Sequence, residues 1–202
     1  MSILEIKYLK SSISERELEY IKHKIPKRYA MSQNYKSEES RNLTLLSGIM
    51  IYNNLKVSED EIKYNKLKKP YVENGPFFNV SHSKEYVVFV KSEKEIGIDI
   101  EFINEKNMSI LDFAFNEEEK KYILSEKDGT SVEKLTKIWT IKESLFKASG
   151  SEKYVEPKNI DSINCGKKYN IYSMKFLNYI VSVASIEKYD SVKLVEDIVI
   201  KE

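Results

Sequence analysis

With 202 residues, 41% of them hydrophobic and 32% charged, the chain has the composition of a soluble globular protein and the length for one large domain or two small ones. Its 33 basic and 32 acidic side chains leave a net charge of +1, so no bulk field draws it to nucleic acid or to a membrane surface. The single cysteine, Cys165, excludes an internal disulfide and, with no CxxC partner or nearby histidine, gives no support to zinc or thiol chemistry.

Met1 to Lys10 lacks the unbroken apolar run of a signal peptide. No segment approaches the roughly 20 apolar residues of a membrane-spanning helix, so the expected location is the cytoplasm. A short strand is expected over Ile3 to Leu9. Ser14 then reads as an N-cap, with Glu17 three residues on completing a capping box, and the helix it opens ends at Pro26. A longer helix is expected from about Glu38 to Asn54, carrying Leu43, Leu46 and Met50 at helical spacing. Leu67 to Pro76 reads as loop, punctuated by Pro70, Gly75 and Pro76. Phe77–Val80, Tyr86–Lys91 and Ile96–Glu101 follow as strands separated by short polar turns, the pattern of an antiparallel meander. Two helices, about Ile110–Ser125 and Ser131–Ser149, precede three further strands at Tyr169–Phe176, Tyr179–Ile186 and Val192–Ile200. Helices then strands, twice over, predict an α+β fold of two similar halves, 1–103 and 104–202, packed tightly without a flexible linker.

In Ile96-Gly97-Ile98-Asp99-Ile100-Glu101 the side chains alternate, so Asp99 and Glu101 share one face while Ile98 and Ile100 enter the core. A half-buried strand with a solvated acidic face is the ordinary reading. Against it, Asp is poor in strands, and two carboxylates 4 Å apart at an effective dielectric near 20 repel by about 4 kcal/mol before screening. A cation between them reverses the sign, and all-oxygen ligands favour Mg²⁺ or Ca²⁺ over zinc.

Trp139, Glu143 and Lys147, four residues apart in turn, form one stripe of a helix. Taken alone it is an exposed Glu–Lys pair beside a core tryptophan. If it faces the acidic strand, Glu143 supplies a third carboxylate and Lys147 a cation for phosphate. Ser81-His82-Ser83, expected at a hairpin tip, offers hydroxyls, an imidazole and backbone amides, a set suited to phosphate oxygens but unspecific.

The order of these pieces is more specific than any one of them. Lys69-Pro70-Tyr71, then Phe78-Asn79-Val80-Ser81-His82-Ser83, then Gly97-Ile98-Asp99-Ile100-Glu101, then Trp139-x-x-Lys142-Glu143-x-x-x-Lys147 resembles the 4′-phosphopantetheinyl transferases, in their large monomeric, Sfp-like (surfactin-synthetase-activating) branch. The specific motifs cover about residues 64 to 150. The resemblance implies a pseudo-twofold pair of α+β halves with coenzyme A bound in the cleft between them. It implies transfer of the 4′-phosphopantetheine arm to a serine of an apo acyl or peptidyl carrier protein, with adenosine 3′,5′-bisphosphate released. By position, Asp99, Glu101 and Glu143 match the Mg²⁺ ligands, a site that Mn²⁺ also suits. Lys147 matches a pyrophosphate-contacting lysine, Ser81 and His82 match phosphate contacts, and Lys69 and Pro70 lie on the adenosine side. Glu119 matches an acidic residue near the reaction centre, so Glu143, Lys147 and Glu119 form the expected catalytic set. Lys24, Lys27, Arg28 and Arg41 are candidates for the 3′-phosphate.

The branch serves nonribosomal peptide and polyketide synthesis, and a monomer that binds neither nucleic acid nor membrane is expected. Two other readings of the same residues are a different Mg²⁺-dependent phosphoryl enzyme and a non-catalytic module that binds coenzyme A or carrier protein.

Overall fold

The computed structural model describes residues 1–150, 154–165 and 168–201. Strand β1 (Ile3–Lys10) leads to α1 (Glu15–Lys24), which starts where the sequence places it: Glu17 returns a carboxylate oxygen to the Ser14 amide at 2.8 Å, and the Ser14 hydroxyl accepts the Glu17 amide. Pro26 does more than end this helix. With φ already helical and no N–H to leave unpaired, it opens a further helix, α2 (Pro26–Ser32). Helix α3 (Glu38–Leu55), capped by Ser37, is followed by β2 (Ile62–Tyr64) and β3 (Pro70–Val72), a small ladder in a stretch whose prolines and glycine read as loop.

Strands β4 (Phe77–Ser83), β5 (Tyr86–Ser92) and β6 (Ile96–Phe102) match the expected positions. The helix expected over 110–125 is instead a 3₁₀ turn (Glu105–Ile110), a single turn α4 (Leu111–Ala114) and α5 (Glu117–Leu124). Asn116 restarts the helix with a capping box of its own, closed by Glu119. Helix α6 (Ser131–Ala148) and strands β7 (Asn170–Phe176), β8 (Tyr179–Ser185) and β9 (Ser191–Glu196) complete the α+β fold. Among the described residues no helix is long and apolar enough to cross a membrane.

Pairing of the strands corrects one expectation. β4, β5 and β6 do not form a meander. β5 is flanked on both edges, by β4 and by β1, and β6 pairs instead with β8, Asp99 opposite Ser182. Strand pairing also runs across residue 103. β6, from before it, belongs to the sheet β6-β8-β7, while β9, from near the end, lies parallel to β1 at the edge of β4-β5-β1-β9. Asn53 Nδ2 donates to the Val199 carbonyl at 2.8 Å and the Tyr20 hydroxyl to that of Lys201 at 2.9 Å, fastening the last residues to α1 and α3. The chain crosses between its sheets twice.

Alternation along the strands sets the layers. Val87 and Phe89 of β5 face Ile21, Leu46, Ile49 and Met50 of α1 and α3, while Val88 and Val90 face Ile98 and Ile100 of β6. Leu135, Ile138, Ile141 and Leu145 of α6 pack beside Ala184 of β8 on the far side of the second sheet. The order is helix, sheet, sheet, helix, each fully buried aliphatic side chain contributing roughly 1.5–3 kcal/mol. Because Ile96, Ile98 and Ile100 fill the layer between the sheets, Gly97, Asp99 and Glu101 are turned towards α6.

Candidate active site

β4 and β6 are edge strands of different sheets, and they meet through side chains rather than through a ladder. Asn79 Oδ1 accepts the Ile98 amide at 2.9 Å and Ser83 Oγ accepts the Phe102 amide at 3.1 Å, satisfying donors that an edge strand would leave open. Between them the Ser81 hydroxyl donates to Asp99 Oδ1 at 2.7 Å, and the Ser83 hydroxyl donates to Glu101 Oε2 at 3.0 Å. Asn79, Ser81 and Ser83 alternate as Asp99 and Glu101 do. That period of two was legible, but which strand it faced was not.

Glu143 and Lys147 of the α6 stripe face the acidic strand. Lys147 Nζ lies 2.6 Å from Asp99 Oδ1 and 3.0 Å from Ser81 Oγ. Burial raises the Glu143 carboxyl above the ordinary range; Lys147 opposes that rise and Asp99 adds to it. Burial, then Asp99, lifts Glu101 to about 7, with a smaller push from Glu143 and with Ser83 and Lys147 pulling down. Three carboxylates therefore share one electrostatic neighbourhood with one ammonium. Trp139, half-buried, packs against Phe115 at 6.4 Å between ring centroids and belongs to the core.

Lys69, from the loop before β3, donates to the backbone carbonyl of Lys147, placing a cation at the C-terminal turn of α6. Two cavities adjoin there. One of about 260 Å³ is lined by Lys69, Pro70, Asn79, Glu143, Phe146 and Lys147; the other, about 690 Å³, by Lys69, Pro70, Tyr71, Gly75 and Phe78 among others. Lys69 and Pro70 thus line one cavity with Glu143 and Lys147. Burial lowers the Lys69 pKa.

The remaining candidates are more scattered. His82 is exposed and sits within β4 rather than at a hairpin tip, the turn being Lys84–Glu85; desolvation and the nearby Lys147 ammonium hold its imidazole below the usual pKa. Lys24 lies 5.6 Å from the Tyr20 ring centroid, Lys27 pairs with Asp60, and Arg41 donates to the Tyr35 carbonyl at 3.0 Å. Arg28 donates to the Tyr64 hydroxyl at 2.6 Å, and Tyr64 is the ladder partner of Pro70, so of these four Arg28 is the one tied to the cavity wall.

Glu119 is fully buried. It accepts Lys142 Nζ at 2.8 Å, the Ser162 hydroxyl at 2.6 Å and the Asn116 amide at 2.9 Å, while Lys142 also donates to the carbonyls of Pro157 and Ile160. Such a network ties α5, α6 and the segment after α6 together. Glu119→Gln keeps the shape but removes the charge opposite the fully buried Lys142, and should lower stability by about 3–5 kcal/mol in denaturant melts. If activity per folded molecule also falls 100-fold or more, Glu119 acts in the chemistry as well.

All-oxygen donors, and the buried Asp99 Oδ2 that has no hydrogen-bond partner, fit a hard divalent cation. As the side chains stand, no group of three or more His, Cys, Asp or Glu residues among those described is gathered as a metal-holding set. Lys147 is on Asp99 instead. The raised Glu101 pKa has its own consequence. In EDTA the folded state holds that proton from pH 4.5 to about 7 while the unfolded chain has released it, so the contribution to stability is lost as pH rises through this window. Wild-type protein should therefore lose melting temperature relative to Glu101→Gln between pH 5 and 8. A constant difference would remove the burial and repulsion argument.

Residues 95–184, from the turn before β6 to the end of β8, match the family model of the 4'-phosphopantetheinyl transferase superfamily. The chain is 40% identical over 91 residues to the 4'-phosphopantetheinyl transferase gsp of Aneurinibacillus migulanus, an alignment covering 45% of this chain and 38% of that protein. It is 23% identical over 152 residues to the 4'-phosphopantetheinyl transferase Sfp of Bacillus subtilis (strain 168), covering 71% and 68%. With psf-1 of Bacillus pumilus, another 4'-phosphopantetheinyl transferase, it shares 32% over 84 residues, covering 41% and 36%. The gsp and psf-1 matches thus span well under half the length of those relatives. The resemblance read from the motifs, an Sfp-like one, is borne out.

Proposed function

We propose that this chain, similar to the 4′-phosphopantetheinyl transferases through β6, α6 and β8, moves the phosphopantetheine arm of coenzyme A to a serine hydroxyl of an apo carrier protein. The observation that carries the reading is the juxtaposition of Asp99, Glu143 and Lys147 with the Lys69–Pro70 cavity, which sets carboxylates and an ammonium against a recess of nucleotide size.

The carrier serine oxygen attacks the β-phosphorus of coenzyme A, a serine–phosphorus bond forms, and the phosphoanhydride bridge breaks to release adenosine 3′,5′-bisphosphate. Lys69 and Pro70 hold the adenosine side, with Arg28 the best placed of the 3′-phosphate candidates. Ser81 and His82 meet phosphate oxygens. Lys147 offsets charge that builds on the leaving phosphate. Glu143 takes the serine proton, directly or through water; its raised pKa suits a base working near neutrality, where general-base help contributes ~10²–10⁴-fold. Mg²⁺, or Mn²⁺ in its place, would be held by Asp99, Glu101 and Glu143 and would neutralise pyrophosphate charge.

Intact-mass spectrometry of apo peptidyl, polyketide and fatty-acid carriers, incubated with the protein, coenzyme A and Mg²⁺, tests the reading. A gain of one phosphopantetheine that EDTA abolishes is expected. No gain on any carrier, from folded protein that still binds coenzyme A, would establish a binding module instead.

A further inference from the structure

We propose that Lys147 is the resident counter-ion of the acidic strand, so that a divalent cation and the coenzyme's pyrophosphate load the cleft cooperatively rather than independently. This rests on the transferase reading of the same cleft. Asp99 is only 3% exposed, and a carboxylate so buried needs a partner. Its partner is an ammonium: Lys147 Nζ lies 2.6 Å from Oδ1, and the Ser81 hydroxyl, itself 3.0 Å from that ammonium, donates to the same oxygen at 2.7 Å. Oδ2 is buried and has no hydrogen-bond partner. One oxygen of the carboxylate is saturated and the other has none.

A divalent ion approaching Oδ2 meets the ammonium across a single carboxylate, and the two cations repel. Lys147 also lines the 260 Å³ cavity, so a pyrophosphate there offers the ammonium a second anion. The lysine stem is flexible and its side chain is a quarter exposed, which lets the head group turn. The helix need not move, because the Lys147 carbonyl is held by Lys69. Drawing Lys147 towards phosphate frees Asp99 for the cation, and a cation at Asp99 frees Lys147 for phosphate. By linkage each ligand raises the affinity of the other by the same factor.

Titration of Mn²⁺ alone, followed by electron paramagnetic resonance, tests this in the wild type, Lys147→Met and Lys147→Gln, with circular dichroism confirming each fold. Without coenzyme A, the Lys147 variants should bind Mn²⁺ at least ~10-fold more tightly than wild type, and coenzyme A should enhance binding less in them than in wild type. Lys68→Met, which removes an exposed cation from the same cavity wall, should change coenzyme-free affinity by less than ~3-fold. Equal or weaker Mn²⁺ binding by the Lys147 variants, or equal tightening by Lys68→Met, overturns the counter-ion role and leaves the transferase reading standing. Failure of every protein to bind Mn²⁺, with or without coenzyme A, overturns both.

Discussion

Asp99→Asn should cut phosphopantetheine transfer by on the order of 10³-fold while the protein stays folded, the loss expected when one pre-set charged group is taken from a phosphoryl-transfer site. Asparagine has the shape of aspartate, and its carbonyl can still accept the Ser81 hydroxyl and the Lys147 ammonium. What disappears is the charge opposite Lys147 and a donor for the cation. Lys147 is a quarter exposed and can turn to water, so the stability cost should stay within about 1–2 kcal/mol. Initial rates from intact-mass spectrometry, read beside a thermal melt, separate the two effects. Turnover within tenfold of wild type, from a variant melting near wild type, would remove the acidic strand from the chemistry.

That Asp99 could be singled out at all came from local periodicity. Ile96 to Glu101 alternates with period two, so the core face and the acidic face separate without knowledge of the partner strand. The Ser14–Glu17 box and the Trp139–Glu143–Lys147 stripe are local in the same sense, and they stand where expected. Contacts between distant segments were not legible. Ser81 and Asp99 lie 18 residues apart, Lys147 and Asp99 48 apart, and no spacing rule joins them. The meander was the natural expectation because short polar turns usually join hairpin strands. It failed for a reason outside the local sequence: a strand has two edges, and β1 had taken the one β6 would have used. Lys142, legible only as part of the α6 motif, is fully buried against Glu119, a pairing set by tertiary packing alone.

Gly97→Ala should be the most damaging glycine-to-alanine change among the described residues, because the residue lies under α6 with no room for a side chain. A Cβ there would overlap the Ser144 carbonyl oxygen and the Ala148 amide nitrogen, and would stand 3.0 Å from Ala148 Cα. These are backbone atoms of one helix, so no rotamer change relieves the contact, and the whole C-terminal part of α6 must lift from β6. Overpacking of a filled core typically costs 1–3 kcal/mol and occasionally more, and a clash against rigid backbone belongs at the upper end, about 3 kcal/mol. Function should suffer beyond stability. Glu143 and Lys147 immediately precede Ser144 and Ala148, and Asp99 and Gly97 are on the same face of β6, so lifting the helix separates the two halves of the site directly. A displacement of about 1 Å in such a constellation can cost on the order of 10²-fold in rate. Denaturant melts and initial rates at a temperature where the variant is fully folded distinguish the two losses. A variant that melts like wild type and transfers at its rate would mean that α6 does not need its close seat on β6 to bring Lys147 to Asp99.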